Sequence, residues 1–211
     1  MYKNFFKRFI DIALSFIGIV VLAIPMFIVA IIIKLDSPGP VFFKQKRVGK
    51  NKKYFTIIKF RSMPVTAPHD TPTHQLENTE QLLSKFQRFE RKMSLDELPQ
   101  LFNILIGDMS IIGPRPALWN QDDLIAERDK YGANGVRPGL TGLAQISGRD
   151  ELEIPVKARL DGEYIEKMSF LFDCKCFFGT ITAVLKHDGV VEGGTGELTR
   201  VEENKAEVVT K

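Results

Sequence analysis

Two adjacent carboxylates, Asp96 and Glu97, sit in the run Ser94-Leu95-Asp96-Glu97-Leu98-Pro99-Gln100. Acids at the start of a helix are favoured in their ionised form by the backbone dipole, which suits a metal ligand or a nucleophile. The same letters have a plainer reading. Ser94 and Glu97 spell a capping box, so the spacing predicts a helix beginning here, with Glu97 as a cap and Asp96 as a dipole partner. Pro99 falls inside the first turns of that helix and removes a backbone donor. Irregularity of that kind is a mark of functional sites. On these residues alone both readings stay open.

Several cations are arranged as if for anions. Arg115 stands between Pro114 and Pro116 in the run Gly107-Asp108-Met109-Ser110-Ile111-Ile112-Gly113-Pro114-Arg115-Pro116. Prolines on both sides stiffen the backbone, and a pre-organised guanidinium suits bidentate phosphate recognition. A rigid turn carrying a solvated arginine is the alternative. Lys59 and Arg61 alternate, so a strand would put both on one face. From Val136 to Arg149 run three glycines, Gly139, Gly142 and Gly148, with Arg137 and Arg149 near the ends. Glycines let backbone approach a ligand closely, but the spacing is not that of a Walker loop. No Gly-x-Ser-x-Gly or Cys–His arrangement points to a hydrolase. With only three histidines, His69, His74 and His187, a multi-histidine metal centre is not expected. Cys174 and Cys176 read as small buried helix residues.

The elements that must position these groups begin with an apolar segment. Residues 12–33 are twenty-two residues without a charge. As a helix they span about 33 Å, against a hydrocarbon core of about 30 Å. The basic start fits a signal peptide, but the run is long and no small-x-small cleavage site follows it. Residues 1–60 carry a balance of +9 and the remainder −6. A basic end suits nucleic acid or an anionic membrane, and the apolar segment within it favours the membrane. Pro25 interrupts the segment, and basic residues flank both sides. The positive-inside rule then places both flanks in the cytoplasm, which a re-entrant hairpin satisfies. A spanning helix with a tolerated proline is the alternative.

Beyond it, 211 residues with 44% apolar and 26% charged content suit one folded domain. Strands are expected at 41–43 and 54–60, with a turn at 48–51. Residues 64–81, with three prolines, read as a mobile loop. Helices are expected near 81–92, 96–106, 119–131 and 152–168, with Gly132 as a stop. Residues 170–186 repeat apolar side chains at helical spacing, a face for the core or for a membrane interface. The chain after Val191 is Gly-rich, then acidic, and reads as disordered. The fold class is helix-rich mixed α/β. The expected division is a re-entrant helix over 1–34, a cytoplasmic domain over 35–190 and a tail over 191–211.

Taken in order, the motifs resemble those of the monotopic phosphoglycosyl transferases, the bacterial sugar transferase family. They are Arg8-Phe9-Ile10-Asp11, Lys59-Phe60-Arg61-Ser62-Met63, Ser94 to Gln100, Gly107 to Pro116, Arg137-Pro138-Gly139 through Gly148-Arg149, and Leu160-Asp161-Gly162-Glu163-Tyr164-Ile165. The resemblance covers about Lys7 to Lys186. It implies transfer of a phospho-sugar from a UDP-sugar to undecaprenyl phosphate, with release of UMP, opening glycoconjugate and polysaccharide assembly. It implies Asp96 as nucleophile through an aspartyl phospho-sugar, Glu97 as its partner, and Mg²⁺ held by Asp96 or Glu97. Lys59, Arg61, Arg91, Arg115, Pro116, Arg137, Arg149 and Asp161 become the candidate substrate-binding residues. It further implies a re-entrant helix broken at Pro25, membrane lipid as a partner, interfacial amphipathic helices, and residence at the bacterial inner membrane facing the cytoplasm. Nucleic acid is not an expected partner, and a homo-oligomer is left open. The chain starts directly at the apolar segment, as expected of the small catalytic-core class. One departure is Ile24, where the family often has a serine before the proline. Two rival readings are a membrane-anchored anion-binding scaffold and a glycosyltransferase that releases UDP.

Overall fold

The computed structural model describes residues 2–67, 83–148 and 152–186. The expected tail over 191–211, most of the expected mobile loop, and Arg149 lie outside the described residues. What is described is a helix-rich mixed α/β fold. A π-helical turn, Tyr2–Phe6, leads into α1, Lys7–Asp36. Strands β1 (Phe42–Val48) and β2 (Tyr54–Phe60) follow, then α2 (Lys85–Lys92) and a 3₁₀ turn, Leu95–Glu97. The chain continues through α3 (Gln100–Ile106), β3 (Ser110–Ile112), α4 (Asp122–Asp129), β4 (Gly139–Thr141) and α5 (Leu143–Ile146). Two longer helices close it, α6 (Ile154–Lys167) and α7 (Phe170–Lys186).

By length and composition, α1 is the one helix among the described residues able to cross a membrane. Pro25 lies inside it, and the helix continues on both sides. The helix is apolar all round, yet it buries one stripe against the domain: Asp11, Ser15, Met26, Val29 and Ile33. Gly18 lies on the same side, and a Cβ there would come within 3.2 Å of the Leu101 side chain. Polar groups set the register at its N-terminal end. Asp11 Oδ1 accepts from the Ile111 amide at 3.0 Å and from the Ser110 hydroxyl at 3.1 Å. Arg8 donates to the carbonyls of Ile104 and Leu105 at 2.6 and 2.9 Å, adding a charged donor at the end of α3. At the other end, Met26, Val29 and Ile33 pack with Phe60. Asp173 of α7 accepts from Tyr2, Lys7 and Tyr164, tying the first turn to the last helix.

Strands β1 and β2 form an antiparallel hairpin in the register Phe42↔Phe60 to Val48↔Tyr54. Its outer edge is covered by one side chain. Asn103 of α3 accepts from the Ile58 amide at 3.0 Å and donates to the Thr56 carbonyl at 2.8 Å, standing in for a third strand.

The helix expected over 96–106 forms in two pieces, and the capping box read at Ser94 and Glu97 does not. Ser94 adopts φ 53°, in the left-handed region, and its side chain makes no cap bond. The reciprocal box forms at Ser84 and Gln87, at the start of α2. Glu97 is thereby left available for other partners.

Strands β3 and β4 pair in parallel, Ser110↔Gly139 and Ile112↔Thr141. Two of the glycines expected to admit a ligand instead admit backbone. A Cβ on Gly139 would lie 2.2 Å from the Gly113 nitrogen, and one on Gly142 would lie 2.1 Å from the Gly113 oxygen. Around this pair sits the main core, which includes Ile57, Leu101, Ile104, Met109, Leu143 and Tyr164.

Gly139→Ala must therefore push β3 and β4 apart, a loss of about 3 kcal/mol, the upper end of the usual overpacking range. Gly135, with open space around its Cβ position, supplies the control. Thermal unfolding should show a large drop for Gly139→Ala and little change for Gly135→Ala. Equal stabilities would disprove the close backbone contact.

Candidate active site

Three elements bring the charged groups together. Strand β2 delivers Lys59 next to its last residue, the 3₁₀ turn delivers Asp96 and Glu97, and the segment after β3 delivers Arg115. Glu97 Oε1 accepts from Lys59 Nζ at 2.8 Å and from Arg115 Nη2 at 2.8 Å. Both pairs are largely shielded from solvent on the Glu97 side. They open onto a cavity of about 170 Å³. Its charged lining comprises Lys59, Arg91, Asp96, Glu97, Arg115, Arg128 and Lys157, and a neutral side comes from residues of β4, α5 and α7. Thr141 on that neutral side shares a 2.6 Å hydrogen bond with Thr180 of α7.

The two carboxyls have opposite surroundings. Burial pushes Asp96 up to about 6, with the Glu97 charge adding to this, while Lys59, Arg91 and Arg115 pull it down. Burial alone would raise Glu97 as well. There the Arg115 and Lys59 charges, bonded directly to it, prevail and hold Glu97 well below the usual carboxylate range. The pair thus divides its work: Glu97 stays ionised and fixes the cations, and Asp96 keeps a more basic, less stabilised oxygen. Asp96 takes no hydrogen bond from the described residues. Among these residues no three His, Cys, Asp or Glu side chains converge on one point. A divalent cation would draw on Asp96, Glu97 and the oxygens of a bound phosphate. Hard oxygens with few protein ligands suit Mg²⁺.

The structure brings Asp96, Glu97, Lys59, Arg91 and Arg115 to the cavity and puts other candidates elsewhere. Arg61 is buried beneath the turn after α1, donating to the carbonyls of Ser37 and Pro38 at 2.8 and 2.7 Å. Arg137 donates from Nε to the Gly107 carbonyl at 2.8 Å, capping α3 beside Arg8. Pro116 is buried, and its carbonyl accepts from Arg47 at 3.0 Å. Asp161 is buried on α6, where it pairs with Arg128. Pro25 is on the exposed side of α1. Sequence reasoning missed Arg128, Lys157, Thr141 and Gln145 as cavity residues. The signal for Arg128 was indirect: a buried acid at Asp161 required a cation, and thirty-odd residues of chain hid which one.

Behind the dyad lies Glu90 of α2, fully buried, with neither carboxylate oxygen bonded among the described residues. Burial, then the Asp96 charge, pushes its pKa up to about 8 from an ordinary 4.5. The folded chain therefore keeps this proton over a range where the unfolded chain has lost it. The resulting stability is whole below the unfolded value and is lost as pH rises through the folded one. Melting temperature should fall between pH ~5 and pH ~8, and Glu90→Gln should flatten that part of the profile. Identical profiles for the two proteins would exclude a protonated Glu90.

Known proteins resemble this chain over most of its length. The family described as bacterial sugar transferase matches residues 2–187. The uncharacterized sugar transferase EpsL of Bacillus subtilis is 38% identical over 184 residues, covering 87% of this chain and 89% of its own length. An undecaprenyl-phosphate glucose phosphotransferase of Komagataeibacter xylinus is 41% identical over 185 residues, covering 83% of this chain but only 35% of its own length. A UDP-glucose:undecaprenyl-phosphate glucose-1-phosphate transferase of Escherichia coli is 37% identical over 188 residues, again covering 83% of this chain and 39% of its own length. The chain thus spans most of the first relative and little more than a third of the other two. With the match running from the second residue past the end of α7, the chain belongs to the bacterial sugar transferase family.

Proposed function

We propose that this protein transfers a sugar phosphate from a UDP-sugar to undecaprenyl phosphate, with Asp96 as the nucleophile. The observation that carries the reading is the contrast within the dyad: Glu97 engaged by two cations, Asp96 unbonded and facing the same cavity. An Asp96 oxygen attacks the β-phosphorus, and the bond from that phosphorus to the bridging oxygen breaks. UMP leaves with the electron pair. An oxygen of the lipid phosphate then attacks the same phosphorus, the Asp96–phosphorus bond breaks, and the carboxylate is restored. Mixed acyl phosphates transfer readily, which favours the second half. Lys59, Arg91 and Arg115 lower the cost of bringing a diphosphate beside two carboxylates. Mg²⁺, held by Asp96 and Glu97, would supply neutralisation of diphosphate charge.

A lipid acceptor explains the apolar surface. The outer face of α1 exposes Phe16, Val20, Ile24, Phe27 and Ile31, and α7 exposes Phe170, Leu171, Phe177 and Phe178. Patches of this size face lipid or a partner. Both ends of α1 rest on the same domain, through Arg8 and Asp11 at one end and Val29 and Ile33 at the other. That arrangement favours re-entry over spanning, because a spanning helix would have to give up one set of contacts. The basic flanks favour the cytoplasmic face of the bacterial inner membrane.

Two outcomes are expected. With Mg²⁺ and a UDP-sugar substrate but no lipid acceptor, intact-protein mass spectrometry should find one added phospho-sugar. Asp96→Asn should remain folded yet lose both this adduct and UMP release. Near-normal turnover by folded Asp96→Asn would sink the covalent mechanism, and UDP as product would indicate ordinary glycosyl transfer. For topology, single cysteines at Lys3 and Asp36, in a chain with Cys174 and Cys176 replaced by alanine, should react equally poorly with an impermeant reagent in intact cells. Strong labelling of only one would mean that α1 spans.

A further inference from the structure

The cavity has a cation that the proposed reaction has not yet used. Arg128 of α4 is only 4% exposed, although it lines the cavity. Its Nε donates to Asp161 Oδ2 at 2.7 Å, and its Nη2 lies 2.6 Å from the same oxygen. Asp161, on α6, is itself 1% exposed. Nη1 has no partner among the described residues, and it is not sealed off from solvent. It therefore points to open space, and the space beside Arg128 is the cavity.

A buried ion pair is a poor way to join two helices, since desolvation of both groups offsets most of the attraction. As a mount it has a clear use. Two nitrogens held by one carboxylate oxygen fix the plane of the guanidinium and leave its other edge directed at whatever enters. Little side-chain freedom is then lost on binding.

The ligand follows from the charges. Glu97 Oε1 already occupies Lys59 and Arg115 at the dyad. A sugar diphosphate carries one negative charge on each phosphate, and the attacked phosphate must lie beside Asp96. The other is one bridging oxygen away and needs its own cations. Arg91 acts at the dyad too, where its charge pulls Asp96 down. The cations of the wall outside the dyad are Arg128 and, from α6, Lys157. We infer that Arg128, mounted on Asp161, binds the phosphate that leaves with the nucleoside. This rests on the reaction proposed above, and it makes Arg128 a substrate-binding residue and Asp161 its positioning residue.

The test uses the full chain in detergent micelles, without lipid acceptor, and compares the binding of UMP and uridine. Uridine lacks the phosphate, so it reports on the rest of the pocket. Arg128→Lys keeps a charge for Asp161 and loses the fork. A second variant, Arg128→Met with Asp161→Leu, removes the ion pair as a unit and strands no buried acid. Both should weaken UMP binding at least about tenfold, as for loss of a charge-assisted phosphate contact. Uridine affinity should stay within about twofold of wild type. A folded variant that binds UMP as tightly as wild type would overturn the inference. So would equal losses for UMP and uridine, since they would make Arg128 a structural support for the pocket. Wild-type protein that neither binds UMP nor releases it from a UDP-sugar would instead overturn the proposed reaction, a result separable from these because it appears before any substitution.

Discussion

One oxygen atom organises the site. Glu97 Oε1 accepts from Lys59 on the hairpin and Arg115 after β3, so three separate stretches of chain meet at one acceptor. The interaction is strong because both donors are charged and the acceptor is shielded from water. It also has an electrostatic consequence for its neighbour. Two cations bonded to Glu97 sit close enough to temper Asp96 but are not bonded to it. Adjacent acids in one turn thus acquire different characters, and the difference comes from their partners.

Much of the remaining fold serves to hold that meeting point. The N-terminal end of α3 lies just past the dyad, and α3 is gripped from three sides. Arg8 and Arg137 donate to carbonyls at its end, and Asn103 fastens it to the edge of β2. Arg8 belongs to α1, so the helix that carries the apolar surface is coupled to the helix that follows the site. Under the proposed reaction the acceptor arrives from the membrane, and this coupling joins that surface to the site. The Asp173 cluster repeats the arrangement at the other end of the chain, joining α7 to the first residues.

Close backbone contact is the second constraint. Gly113, Gly139 and Gly142 let β3 and β4 meet and turn without side chains between them. Arg115 follows β3, and Thr141, at the end of β4, faces the cavity. The glycines therefore act on the site through the strands they join, with no direct approach to a ligand needed.

Local patterns were legible in the residues themselves. Strand alternation marked β2 to its exact ends, helical spacing marked α6 and α7, and the apolar run marked α1. Asp96, Glu97, Lys59 and Arg115 could be picked out by their places at a helix start, on a strand face and between prolines, while Arg91 entered only with the family resemblance. Other features depended on contacts between distant segments. Ser94 and Glu97 have capping-box letters, but a left-handed Ser94 frees Glu97 for Arg115. Arg61 and Arg137 look like Arg115 in the sequence, and only their burial against carbonyls distinguishes them. The three-residue strands β3 and β4 are too short for any periodicity, and their parallel pairing spans about thirty residues of chain. Sequence thus determined which groups could carry charge and which segments had to leave water, since both are properties of single residues and their near neighbours. Tertiary structure decided which cation meets which anion, because a hydrogen bond depends on position to within a few tenths of an ångström and no local pattern sets that distance.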